Sequence, residues 1–268
     1  MIENLKELNA KVQKPRYKEV GNWMVRNFER DAALYITWAL LHTPITANQV
    51  TFITLCIGIF SAFIFAIPGA SALLVGALLL QFWYLFDHVD GQVARYRGTS
   101  SLTGVYFDYL MHYIVHSMIF LGLGVSAYFS SEGNIAFLLL GFISALFMAF
   151  ISMFYDAKWK AFYHWFQLKK IESAEFNWPE DTQKPAPKSE SSAAKKVFAF
   201  ICKLTEIHVL MNIITVLAIA GLWLHEINFS QILTVVYGFL LPFVFAVRTI
   251  YAIKNQTLDQ EFKDLVKQ

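Results

Sequence analysis

The chain has 268 residues, of which 56% are hydrophobic and only 16% charged, too little polar material to coat a soluble globule of this size. A formal net charge of +2 supplies no strongly basic surface, so no nucleic-acid partner is expected. The composition predicts an all-α integral membrane protein with six transmembrane helices and a cytoplasmic amino-terminal interfacial helix.

Residues 1–46 read as a cytoplasmic amphipathic arm. From Tyr17 to Leu41 it mixes Trp23, Phe28, Leu34, Tyr35 and Trp38 with Arg26 and Arg30, a composition suited to a helix lying in the membrane interface. The first thirty residues are charged and lack an apolar core segment, so no cleavable signal peptide is expected.

Apolar runs long enough to cross about 30 Å of hydrocarbon then follow one another. The first covers about Val50 to Ile67 and ends at Pro68-Gly69. The second runs from about Ala70 through Phe86 into a polar extension reaching Arg97, and the third from about Leu102 to Phe129. The fourth spans about Asn134 to Tyr155 and continues as an aromatic and basic helix to Trp165. Together they make a front unit over 47–170. The stretch 171–194, with Pro179, Pro185, Pro187 and Ser189-Glu190-Ser191-Ser192, is too polar to order itself and reads as a flexible cytoplasmic linker. A back unit over 195–254 holds a short helix near Lys195 to Leu204 and two more spans, about Ile207 to Leu224 and Gln231 to Ala252. Residues 255–268 form a cytoplasmic tail. No internal repeat is visible.

Lys and Arg set the orientation, because they are retained on the cytoplasmic side. All 22 lie in the amino-terminal arm, at Arg95 and Arg97, between Lys158 and Lys203, or near the carboxyl end from Arg248 onward. The opposite loops, near Pro68, Ser130 and Glu226, hold none. Both termini are therefore expected in the cytoplasm, with a bacterial inner membrane as the setting. Cys56 falls inside a span and Cys202 on the cytoplasmic side, so a disulfide or thiolate metal cluster is not expected and both read as packing residues.

The polar end of the second span carries the chemistry. On a helix, Asp87, Asp90, Gly91 and Ala94 fall within about a 100° sector, so two carboxylates and two small residues share a face near the cytoplasmic interface. In the third span Gly104, Asp108 and His112 follow at i, i+4 intervals and form a facing stripe, which His116 extends one turn deeper. Ionisable groups at this depth are costly unless they meet a cavity, another charge or an ion, and three neighbouring carboxylates repel one another. A divalent cation, Mg2+ or Mn2+, resolves both problems and suits phosphate substrates. The glycines and Ala94 let a nucleotide approach the backbone, and Arg95 offers a fork for phosphate. The competing reading is a set of structural ion pairs at a helix junction. His116 either orients His112, touches an acceptor, or is a satisfied bundle residue, and His88, on another face, reads as peripheral. Arg248, near the cytoplasmic end of the last span, either binds an anionic group or snorkels to the interface.

These residues resemble the signature of the CDP-alcohol phosphotransferases, D-x-x-D-G-x-x-A-R, eight residues, then G-x-x-x-D-x-x-x-D. Asp87, Asp90, Gly91, Ala94, Arg95, Gly104 and Asp108 match in register. The resemblance implies metal binding by Asp87, Asp90 and Asp108, and donor contacts from Gly91, Ala94, Arg95 and Gly104. Thr46 and Asn48, in the stretch leading into the first span, are further donor-binding candidates by the same resemblance. It also implies transfer of a substituted phosphate from a CDP-alcohol to an acceptor hydroxyl, lipid or soluble, with release of CMP, in phospholipid or glycan head-group synthesis, and a homodimer. The last signature position, an aspartate in the family, is His112 here. Imidazole is a better proton acceptor at neutral pH than a carboxylate and a poorer Mg2+ ligand. His112 is therefore expected to act as the general base, against the alternatives of a ligand for a softer metal or a centre that binds nucleotide without turnover. A transporter would instead need polar positions at midplane and on the outer half, whereas the acidic residues here cluster at one face and the opposite loops are nearly uncharged.

Overall fold

The computed structural model describes residues 4–13, 28–169 and 193–266. The arm residues Tyr17, Trp23 and Arg26, and the linker expected over 171–194 except for its last two residues, lie outside them.

Among the described residues the architecture is helical. Two short helices, α1 (Leu5–Val12) and α2 (Arg30–Leu41), precede four long ones: α3 (Ala47–Phe65), α4 (Ala70–Arg97), α5 (Leu102–Phe129) and α6 (Ile135–Lys169). After these come α7 (Ala193–Lys203), α8 (Ile207–Gly221), α9 (Phe229–Lys254) and α10 (Thr257–Leu265). Five helices, α3, α4, α5, α6 and α9, are each long and apolar enough to cross a membrane.

The short helix expected near Lys195 to Leu204 is α7, and the fifth expected span, about Ile207 to Leu224, is α8, which ends earlier at Gly221. Helix α8 has 15 residues, about 22 Å at 1.5 Å per residue and short of a 30 Å core. It meets α7 at a bend of 70°. The break has a local cause: Leu204, Thr205 and Glu206 donate their amides to the carbonyls of Ile201, Cys202 and Lys203. These i to i+3 bonds tighten the chain, and Thr205 adds its hydroxyl to the Cys202 carbonyl at 2.7 Å. A polar clasp ties α8 to α4, where Gln81 Nε2 donates to Asn212 Oδ1 and Thr215 Oγ1, each at 3.0 Å.

With lipid on the outside, the helices associate through close packing and polar contacts rather than through a water-driven core. Gly124 of α5 and Gly141 of α6 show the consequence, since a Cβ on Gly141 would come 2.7 Å from the Gly124 Cα. Trp83, fully buried, fills the centre of the bundle and donates its indole N–H to Met111 Sδ at 3.1 Å. Cys202 is buried, as a packing residue should be, whereas Cys56 is exposed on the outer face of α3. The carboxyl-terminal tail is not plain chain: α10 folds back on α6, with Lys158 and Glu261 paired at 3.1 Å.

Candidate functional site

A sharp reversal between α4 and α5 builds the site. Helix α4 ends at Gly98, whose φ of 64° is readily available to glycine. Helix α5 starts on Ser101, whose hydroxyl accepts from the Gly104 amide at 3.1 Å. The two helices therefore run antiparallel from this corner, and the polar face of α4 meets the stripe of α5.

The meeting brings Asp87, Asp108 and His112 together, with one ligand-type atom from each lying within 4.8 Å of the others. His112 Nε2 is 3.1 Å from Asp87 Oδ1 and 3.4 Å from Asp108 Oδ1. Asp87 Oδ1 is buried and has no well-aligned hydrogen-bond donor among the described residues. The imidazole is held from behind by Trp83, edge-on at a ring separation of 5.5 Å, and His116 lies one turn deeper with its ring 5.3 Å from that of His112.

Beside this cluster opens a cavity of about 380 Å³, within the range of about 300–1,000 Å³ usual for small-molecule sites. Asp87, Asp90, Gly91, Ala94 and Arg95 line it from α4, and Gly104 and Asp108 from α5. Asn48 also faces it, whereas Thr46 serves as the N-cap of α3, in a reciprocal pairing with Gln49. Asp90 is 8% exposed and its Oδ2 accepts a hydrogen bond from Thr51 at 2.6 Å.

The amino-terminal helices close one side of the site. Thr37 donates to Gln92 Oε1 at 2.7 Å, and Gln92 Nε2 donates to the Arg30 carbonyl at 3.2 Å, fastening α2 to α4. Arg95 Nε donates to the Val12 carbonyl at the end of α1, and Gln13 and Arg30 reach the cavity wall. Glu29 sits at the head of α2, 4% exposed, with neither carboxylate oxygen hydrogen-bonded among the described residues. Burial and, secondarily, the charge of Asp87 push its carboxyl from 4.5 up to about 7.

The structure thus gathers every signature residue at one place. Arg248 stands apart: its guanidinium donates to the Tyr155 hydroxyl, lies 5.4 Å from that ring, and meets Cys202 Sγ at 3.3 Å. His88, expected at the periphery, lines the cavity and takes its Nδ1 to the Tyr84 carbonyl at 2.9 Å. The reason is geometric, because the cavity wraps farther round α4 than the sector occupied by the carboxylates. Thr51 belongs to the stretch leading into the first span, whereas Gln13, Arg30 and Gln92 carried no signal that marked them as wall residues.

The family model for CDP-alcohol phosphatidyltransferase matches residues 44–235. The chain belongs to that family. No curated protein matches it. The matched segment holds the whole α4–α5 corner and extends into α9, while α1 and α2, which cover the cavity, precede it. As a member of the CDP-alcohol phosphatidyltransferases, the chain has phosphotransfer from a CDP-alcohol to an acceptor as its family chemistry.

Proposed function

We propose that the chain is a cation-dependent CDP-alcohol phosphotransferase working at the cytoplasmic face of a membrane. The observation that carries this reading is the convergence of Asp87, Asp90, Gly91, Ala94, Arg95, Gly104 and Asp108 on one cavity from two antiparallel helices. Arg95 supports a phosphate-binding role and the small residues leave room for the nucleotide. A Cβ at Gly104 would approach Ser101 Oγ to 3.3 Å and Asn48 Oδ1 to 3.4 Å, taking up part of that room.

The donor set fits a divalent cation. Asp87 Oδ1 is a buried acceptor lacking an aligned donor among the described residues, Asp108 Oδ1 lies near it beside the same imidazole Nε2, and Asp90 stands on the wall beside them. Asp87 and Asp108, with Asp90 adjacent, would hold Mg2+ or Mn2+, which when bound neutralises the diphosphate and eases departure of CMP. The chain's own residues do the rest. Arg95 holds the donor's phosphates and Gly91 and Ala94 admit the cytidine. The acceptor oxygen attacks the phosphorus bearing the alcohol, the bond from that phosphorus to CMP breaks, and the hydroxyl proton passes to a nearby base. Residue chemistry gives that base role to His112, whereas its position between two carboxylates favours a role as ligand.

Both termini on the cytoplasmic side are supported by the one-sided Lys and Arg distribution. The substrates would be a CDP-alcohol and an alcohol acceptor, lipid or soluble, in head-group synthesis within a bacterial inner membrane. A homodimer rests on family resemblance alone.

The test is CMP release by purified protein in lipid, with Mg2+ or Mn2+ and a panel of CDP-linked alcohols and acceptors. Release that requires the cation and is lost in Asp90→Asn supports transfer chemistry. Nucleotide binding without release across the panel would instead mark a binding protein.

A further inference from the structure

His112 departs from the family signature, and the structure gives the departure a chemical meaning. Resting on the reading of this centre as a cation-dependent one, we propose that His112 is itself a cation ligand through Nε2. With Asp87 and Asp108 it completes a site of two carboxylates and one imidazole that prefers Mn2+ over Mg2+.

Three observations lead there. Nε2 is the atom aimed at both carboxylate oxygens, at 3.1 and 3.4 Å, and the three side chains form a cluster compact enough to surround one ion. Asp108 and His112 share a helical face at i, i+4, so their convergence needs no distortion of α5. The ring is also fixed in direction: Trp83 packs against it at an interplanar angle of 85°, which keeps Nε2 toward α4.

The remaining nitrogen is equally informative. Among the described residues, His112 Nδ1 and His116 Nε2 are both buried without a hydrogen-bond partner, in rings 5.3 Å apart. Ligating histidines ordinarily donate their other ring N–H to a neighbour, which selects the tautomer that leaves the ligating nitrogen bare. A pairing between these two nitrogens would make Nδ1 the donor and leave Nε2 free for the cation. His116 would then act through His112 rather than on the cation.

The arrangement speaks against His112 as the base that meets the acceptor. One nitrogen lies between two carboxylates and the other is buried in the bundle, and His112 is not among the described residues that wall the cavity. The preference for Mn2+ follows from the donor set. Mg2+ takes oxygen ligands and sheds water reluctantly, whereas imidazole suits first-row transition ions.

The experiment is electron spin echo envelope modulation on full-length protein in detergent loaded with Mn2+ alone. Wild-type protein should show the 14N modulation of a directly bound imidazole, and labelling histidine with 15N should replace that pattern without altering the chain. His112→Asp should remove it, His116→Phe should keep it, and about tenfold less Mg2+ should displace Mn2+ from His112→Asp than from wild type. Bound Mn2+ without nitrogen modulation, no Mn2+ binding, or unchanged Mg2+ competition in His112→Asp overturns the assignment. Should His112→Asp fail to fold, the 15N substitution alone decides ligation. CMP release measured on the same samples separates the two readings. Release without nitrogen modulation removes His112 from the cation but keeps the transferase, whereas modulation without release does the reverse.

Discussion

Thr51 donates its hydroxyl to Asp90 Oδ2 at 2.6 Å, linking α3 to the polar face of α4. The same hydroxyl lies 3.2 Å from the Ala47 carbonyl, so Thr51 ties the carboxylate to the first turn of α3. Thr51→Val keeps the shape and deletes the donor, leaving a buried carboxylate without it. Removing such a partner costs about 1–3 kcal/mol. The variant should melt several degrees lower and turn over about tenfold more slowly, with donor KM changed less than kcat. Thr51→Ser should retain both properties. A Thr51→Val protein with wild-type melting and turnover would show that the contact is incidental.

Gly91 presents its missing side chain to the cavity, and the nearest atom to an added Cβ is Arg95 Nη1 at 3.0 Å. That neighbour is the end of a flexible side chain, so Gly91→Ala should fold normally. The methyl group would displace the guanidinium and occupy nucleotide space at once. We expect CDP affinity to fall about tenfold, equivalent to about 1.4 kcal/mol, at an unchanged melting temperature. Calorimetric titration with CDP decides the matter, and unaltered affinity would move the nucleotide away from this face of α4.

How much of this was legible beforehand depends on what each feature rests on. The spans were legible because the bilayer imposes a length, and α4 and α5 begin and end within a few residues of the expected positions. The grouping of Asp87, Asp90, Gly91 and Ala94 was legible because one helix with a fixed period sets it. Thr51 on Asp90 was not, since it depends on the crossing of α3 over α4. The break between α7 and α8 was legible because Lys203, Thr205 and Glu206 interrupt the apolar sequence, whereas its 70° bend was not, since neither Gly nor Pro marks it. His88 was misjudged because a face deduced from carboxylates says nothing about how far a cavity extends around the helix.

Glu29 provides a pH signature. Its carboxyl is raised from 4.5 to about 7, so the folded protein holds this proton more tightly than the unfolded chain does. Between those values the native state binds more protons, and stability falls as pH rises. Above about pH 7 the cost is complete, at most about 3 kcal/mol for a displacement of this size. Glu29→Gln should therefore melt higher than wild type at pH 8 and close to it at pH 4.5, as followed by intrinsic fluorescence. Adding Mn2+ should reduce the difference at pH 8, because neutralising Asp87 removes part of the repulsion. Equal melting of the two proteins across this range would mean that Glu29 is solvated or paired in solution.

Arg248 separates a structural cation from a substrate-binding one. Its guanidinium is engaged by the Tyr155 hydroxyl and ring and by Cys202 Sγ, and it is not among the described residues that line the cavity beside Asp87. Such a group joins α9 to α6 and α7, and its loss should loosen the back of the bundle rather than the donor site. Arg248→Ala should melt about 3 °C lower, given roughly 1–2 kcal/mol for a charged hydrogen bond with an aromatic face. CDP affinity should stay within about twofold of wild type. Tyr155→Phe keeps the ring and removes the hydroxyl, and should lose only part of that stability. If Arg248→Ala melts normally but raises the KM for an anionic acceptor, the arginine binds substrate and the acceptor site extends to the contact of α6, α7 and α9.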